Sequence, residues 1–238
     1  MQFIDTITRT RNTFLYFSNF CNENYRCGHD LESYRELIDL HRNINNLEEL
    51  INREDFLEKI YRTLELFNMN QRGAELVSLG DFADSILQLQ GELIELYRYK
   101  IHSLGTRTEF LQIMQMLEEV FCELKVMSSK RRIVGVSKTL HFLLPDFVIP
   151  IDGKYTMTCF YGHNKIEKGA LREFGTFKEI HLKSWQIIRN LNINEADVDG
   201  NGWNTSVPKL LDNAMVGFIK YAETHEVNEL TNLLNNLN

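Results

Sequence analysis

Apolar residues recur along most of this chain at intervals of three and four, the spacing that lines one face of an α-helix. No segment alternates with the period of two that a half-buried strand requires, so no sheet is demanded. Ile4, Ile7, Phe14, Leu15, Phe17 and Phe20 predict a helix from Phe3 to about Glu23, ended by the turn Cys27-Gly28-His29. Asp30 is placed to cap a second helix through Tyr34, Leu37, Ile38 and Leu40, which stops at the polar break Asn43 to Asn46. Phe56, Leu57, Ile60, Tyr61, Leu64 and Phe67 form a clean stripe on a third helix, Arg53 to Phe67. Asn68 to Gly73 reads as a tight connection before a short helical turn, and Gly80-Asp81 as the cap of a helix running to about Lys100. After a loop from His102 to Thr106, the longest stripe of the chain follows: Phe110, Leu111, Met114, Leu117, Val120, Phe121 and Leu124. That pattern predicts the central buried helix.

The pattern then breaks. From Arg131 to Tyr161 the chain reads RRIVGVSKTLHFLLPDFVIPIDGKYTMTCFY and holds two of only 3 prolines. Ile133-Val134-Gly135-Val136 is a short apolar run, and Ser137-Lys138-Thr139 can cap a new helix whose first N–H groups favour an anion. That helix, Lys138 to Leu144, must stop before Pro145, because a proline inside it would remove a hydrogen bond and clash with the preceding turn. Pro150-Ile151-Asp152-Gly153 breaks the chain again and leaves a carboxylate at the mouth of a helix from Tyr155 to Tyr161. Beyond a loop from Gly162 to Gly169, helices are predicted over Thr176 to Leu191 and Pro208 to Thr224, with a short polar one at the end. Ser206 or Thr205 is the cap of the second of these.

With 238 residues and 43% apolar composition the chain can bury a sizeable core, and it reads as one all-α unit. Its division into two helical lobes is expected at 1–107 with 160–238 and at 108–159, the second carrying the Gly135 to Thr139 segment. A formal net charge of −7 argues against indiscriminate coating of nucleic acid, which needs a broad positive surface, though not against a local basic patch. Cysteines at 21, 27, 122 and 159 match no zinc spacing and read as reduced thiols. No cofactor or metal is called for. The N-terminus lacks the apolar core of a secretory signal, and no run approaches the roughly eighteen apolar residues of a membrane helix, so a cytoplasmic protein without a membrane partner is expected.

The segment Gly135-Val136, the helix after it, and Pro150-Ile151-Asp152 resemble the helix-hairpin-helix DNA glycosylase superfamily. Its members carry an apolar-Gly-apolar-Gly hairpin, a helix, and a catalytic aspartate that opens onto the next helix. Ser137 stands where the second glycine falls, and the interval to Asp152 is slightly shorter than in that family. The resemblance implies a two-lobed glycosylase-like fold, DNA as partner and Asp152 as the catalytic carboxylate. Bifunctional members place an imine-forming lysine inside the second hairpin helix: Lys138 is the amine at hand, whereas pairing Ser137 with the second glycine puts Thr139 there. Ser137 to Pro145 and Pro208 to Ala214 are also similar to a group of bacterial proteins of unassigned function.

Each candidate has a bland counterpart. Asp152 can stabilise an oxocarbenium-like transition state or only cap the helix after it. The run Ser128-Ser129-Lys130-Arg131-Arg132 is a phosphate clamp with Gly135, Ser137 and Thr139, or a set of cations suited to the C-terminus of the preceding helix. Lys138 is a phosphate-binding or imine-forming lysine, or an exposed one. His141, on the same side of the helix, is an acid or base, or a packed residue. Lys209, Asp212 and Asn213 share one helical face, either a pocket wall in which Asn213 reads a base edge or orients Asp152, or an intrahelical ion pair. Trp203, Tyr25, Tyr155 and Tyr161 can stack an extruded base or fill the core, and Arg72 can contact phosphate. Asp197-Val198-Asp199-Gly200-Asn201-Gly202 matches the first half of a calcium loop, but Pro208 occupies its twelfth position, and a polar connection is the better reading. The function expected first is base excision by N-glycosidic cleavage. The alternative is a non-catalytic helical protein that binds nucleic acid or a protein partner through the hairpin.

Overall fold

The computed structural model describes residues 2–25, 28–71, 73–129, 131–166 and 169–237. Cys27, Arg72 and Lys130 lie outside them. Among the described residues the protein is all-α, and the one pairing of extended backbone is an isolated antiparallel bridge between Leu76 and Met127. The helices are α1 (Phe3–Ile7), α2 (Arg11–Asn24), α3 (Gly28–Ile44), α4 (Leu47–Ile51), α5 (Glu54–Leu66), α6 (Leu79–Gln88), α7 (Gln90–Tyr97), α8 (Arg107–Glu123), α9 (Ile133–Leu143), α10 (Thr156–Tyr161), α11 (Ala170–Asn190), α12 (Val207–Thr224) and α13 (Val227–Asn236). No described helix is long and apolar enough to cross a membrane.

Side-chain caps decide where several of these begin. The side chains of Thr10, Asn46, Ser78, Thr106 and Ser206 each accept the N–H three residues on, an interaction of about 1 kcal/mol. Thr10 divides the single N-terminal helix expected from periodicity into α1 and α2. Ser78, rather than Gly80-Asp81, opens α6, and the helix expected to run to Lys100 is interrupted at Leu89. The expected helical turn after Gly73 is instead extended, with Val77 N–H donating to Val126 O at 3.0 Å. Helix α11 starts at Ala170, six residues before the expected Thr176.

Buried apolar side chains form one cluster that reaches from Ile4 to Tyr221. Helix α8 lies within it as expected, burying Phe110, Ile113, Met114, Leu117, Val120 and Phe121. Helices α2 and α12 pack along each other most extensively. Their closest approach falls at Gly217, where a Cβ would lie 2.0 Å from the carbonyl oxygen of Phe17. Only glycine permits that backbone contact. The approach fixes α12, and with it the face that carries Lys209, Asp212 and Asn213.

The largest departure from expectation is at α9. No turn separates Ile133–Val136 from a helix beginning at Ser137; one continuous helix runs from Ile133 to Leu143. The N–H groups assigned to an anion are therefore committed inside the helix. At its real start, the Oε2 of the fully buried Glu173, on α11, accepts the N–H groups of Arg132 and Ile133 at 2.7 and 2.5 Å. A carboxylate of the chain itself thus occupies the position favoured by the helix dipole. Helix α9 ends at Leu143, ahead of Pro145, as the proline requires.

The loop at 197–202 is tied down by protein groups. Asp197 pairs with Arg11, and its other oxygen accepts the Asn194 N–H at 3.0 Å. The nearby carbonyls of Gly200 and Thr205 receive the guanidinium groups of Arg35 and Arg42, both at 3.5 Å. Arginine side chains thus pair with the first carboxylate of this segment and with two carbonyls in and beside it.

Candidate functional site

A cleft of about 920 Å³ opens between the N-terminal part of α9, the 150–155 segment, the start of α12, and residues around Tyr34 and Phe67. It gathers most of the residues singled out in the sequence: Arg131, Gly135, Lys138, His141, Asp152, Trp203, Lys209, Asp212 and Asn213 all line it. Arg132, Ser137 and Thr139 do not. The Arg132 guanidinium donates to the carbonyls of Phe121, Cys122 and Leu124 at 3.3, 3.0 and 2.7 Å, so it closes the C-terminal end of α8. Ser137 is buried and bridges Val134 O and the Ile151 N–H, at 3.1 and 3.0 Å. Thr139 is fully buried. These three are committed to protein groups or buried in the continuous helix, so they are not presented to the cleft with Arg131 and Gly135, the other members of the expected phosphate clamp.

Asp152 divides its two oxygens between the two roles considered for it. Oδ1 accepts the N–H groups of Lys154 and Tyr155 at 2.7 and 3.2 Å, the capping role. Oδ2 lies 3.8 Å from Lys138 Nζ, and the two side chains are 31% and 14% exposed. The lysine is not the freely solvated residue of its bland reading. Its ammonium also sits 5.0 Å from the centre of the Phe67 ring. Gly135 gives this wall its shape, since a Cβ there would meet the side chain of Met127 at 2.4 Å.

On the α12 wall, Lys209 Nζ is hydrogen-bonded to Asp212 and stands 4.9 Å from the centre of the Trp203 ring. Trp203 is stacked on Tyr34 on another side, with centroids 5.3 Å apart, and its Nε1–H donates to Tyr25 O at 2.9 Å. It is a wall of the cleft rather than an open stacking platform. Tyr25, Tyr155 and Phe67 also line the cleft, and these three keep part of their surface exposed. Tyr161 lies elsewhere and donates to Glu179 at 3.0 Å.

His141 takes its packed reading. Its Nδ1–H donates to Val148 O at 2.7 Å, and its Nε2 accepts from the Tyr34 hydroxyl at 3.0 Å. Tyr34 in turn accepts from the Thr205 hydroxyl at 2.6 Å. Burial pushes the His141 imidazole down to about 3 and the Tyr34 phenol upward, so both stay neutral near pH 7. Two further histidines brace the same connection. His41 Nε2–H donates to Phe142 O at 2.6 Å, and His181 Nε2 accepts the Ile149 N–H at 3.0 Å. Burial lowers both to about 4. Three neutral imidazoles therefore hold residues 142–149, the stretch that delivers Asp152 to the cleft.

Cys122 and Cys159 carry free thiols, and burial raises Cys159 to about 12, which makes it inert at neutral pH. Among the described residues no group of three or more His, Cys, Asp or Glu is arranged to hold a metal ion. Sequence reasoning missed Tyr34, Phe67 and Glu173 as determinants of the site. Tyr34 and Phe67 look like core positions of their helices, and Glu173 fell outside the expected bounds of its own. Comparison with protein-family models, with curated proteins and with solved structures found no match to this chain.

Proposed function

We propose that this protein cleaves the N-glycosidic bond of a nucleotide unit in DNA, with Asp152 as the catalytic carboxylate. The observation that carries this reading is the placement of Asp152 Oδ2 and Lys138 Nζ, 3.8 Å apart, on one wall of a cleft large enough for a nucleoside. Cleavage of the bond between C1′ and a base nitrogen leaves positive charge on the sugar and an electron pair on the base. Asp152 opposes the first and can activate the water that adds to C1′; Lys138 can donate to the second. The partly buried rings of Phe67, Tyr25 and Tyr155 suit the faces of an extruded base. From the superfamily resemblance this reading keeps the helix followed by Pro150-Ile151-Asp152 and drops the phosphate-binding hairpin. Arg131, exposed at the rim, is a cation placed to meet the backbone.

One observation favours a second reading, a pocket for a free nucleoside. The three lysines among the described residues of the cleft are each paired with a carboxylate, Lys138 with Asp152, Lys154 with Glu223 and Lys209 with Asp212, and the formal charge of the chain is −7. Little positive potential remains for a polyanion.

Binding of short duplexes tests the first reading: one carries a cationic abasic-site mimic, the other is undamaged, and each is titrated with the wild type and Asp152→Asn. Preference for the mimic that is lost in Asp152→Asn is the expected result. Equal, salt-sensitive affinity for both duplexes would leave nucleic-acid binding without this chemistry. No binding to either, with saturable binding of a nucleoside, would move the assignment to the second reading.

A further inference from the structure

The α12 wall contains one buried side-chain atom that no described residue satisfies. Asn213 is 0% exposed and lines the cleft. Its Nδ2 donates to Asn204 Oδ1 at 2.8 Å, an oxygen that also receives the Ser18 hydroxyl at 3.3 Å, while Asn204 Nδ2 donates to Asn19 Oδ1 at 3.1 Å. This relay assigns the nitrogen of the Asn213 amide to the protein side. The carbonyl oxygen, Oδ1, has no hydrogen-bond partner among the described residues. Buried acceptors are nearly always matched, because stripping water from one without replacing its hydrogen bond is unfavourable.

One helical turn earlier on the same face stands Lys209. Its ammonium has three protons, of which Asp212 takes one, and it is held against the rings of Trp203 and Tyr34 at 4.9 and 5.8 Å. The wall therefore offers an acceptor and, a turn away, a donor. A cationic amine would satisfy Asn213 but would be repelled by Lys209. A neutral N–H next to an acceptor satisfies both, and on a flat ring it also suits the aromatic faces of Tyr25, Tyr155 and Phe67.

We infer that Asn213 Oδ1 accepts an N–H from the Watson–Crick edge of a nucleobase and that Lys209 donates to the acceptor beside it, which makes this pair the base-selecting element of the cleft. This rests on the reading of the cleft as a base pocket. It assigns the α12 wall to recognition and leaves the Lys138–Asp152 wall to chemistry.

The test is titration of the four free ribonucleosides, followed by the intrinsic fluorescence of Trp203, alongside the same nucleosides methylated at every Watson–Crick N–H. At least one parent nucleoside should bind, and its methylated form should bind at least about tenfold more weakly, the size expected of one buried hydrogen bond. Asn213→Leu should abolish the difference between the two forms, and Asn213→Asp, which keeps an acceptor, should retain it. Equal binding of parent and methylated nucleosides by the wild type would overturn the inference without reliance on any variant. So would absence of nucleoside binding, or an unchanged preference in a folded Asn213→Leu. The abasic mimic carries no base, so its preference over undamaged duplex, read with the wild type and Asp152→Asn, reports on the Lys138–Asp152 wall independently of nucleoside selection. Failure of nucleoside discrimination with mimic preference intact removes this inference alone; the converse removes the catalytic reading alone.

Discussion

The cleft contains two lysine–carboxylate pairs built in opposite ways. Lys209 and Asp212 belong to one turn of α12, and their side chains are 11% and 9% exposed. Lys138 and Asp152 come from α9 and a loop beyond Pro150, meet at 3.8 Å, and are 14% and 31% exposed. A dry pair cannot lose one partner without stranding a charge where water does not reach it. A partly wetted pair at longer range can be parted at small cost. The first pair is thus a fixed part of the wall. The second is held loosely enough for Asp152 Oδ2 to leave Lys138 while Oδ1 keeps its backbone contacts.

The contrast can be broken in several places. The largest effect is expected on the support of the Asp152 side. His41, His141 and His181 have folded-state values of about 4, 3 and 4, below the usual 6.5, so the unfolded chain binds protons that the folded one refuses. Their stabilising contribution is complete above pH 6.5 and is lost as the pH falls toward 4, at about 1.4 kcal/mol per pH unit for each histidine. Urea denaturation between pH 7 and 4 measures it, and His141→Asn should flatten the slope. An unaltered slope would mean that His141 is not held neutral. Next in size, Asp212→Ala should destabilise the fold by about 3–5 kcal/mol, since it strands Lys209. A loss under about 1 kcal/mol would erase the difference between the pairs. The smallest stability change is expected for Asp152→Asn, under about 1 kcal/mol, because the amide oxygen can still accept from Lys154 and Tyr155. The same variant should lose its preference for the abasic mimic. If its thermal stability dropped as far as that of Asp212→Ala, Asp152 would be as structural as its counterpart.

Much of this was legible in the chain. The all-α class follows from period alone, and α8 was recognisable as the central helix because its stripe is the longest. The cleft residues Asp152, Lys138, Lys209 and Asn213 stood out for a shared reason, polar groups placed where proline or an apolar run gave them no obvious structural task. What failed was the local reading of Ile133 to Thr139. Gly135 and the Ser-Lys-Thr sequence look like a turn and a cap, and locally they are. The helix runs through them because Glu173, 40 residues away in sequence, satisfies its start elsewhere. Ser78 against Gly80, and Thr10 within an unbroken apolar stripe, were missed for a smaller reason: a cap is a single hydrogen bond, invisible to a pattern averaged over several turns.

The Glu173 contact also bears on the order in which the molecule assembles. The N–H groups of Arg132 and Ile133 at the start of α9 are met by a residue about 40 positions on in the chain, not by a neighbouring cap. That start must wait for α11 to dock, and closing so long a loop costs entropy before any contact is made. This wall of the cleft is therefore expected to form after the folding barrier and to be the first to loosen. In Glu173→Gln the unfolding rate should rise while the folding rate stays close to that of the wild type, as stopped-flow chevrons would show. A ligand that braces α9 would then act as a kinetic lock, lengthening the lifetime of the native state.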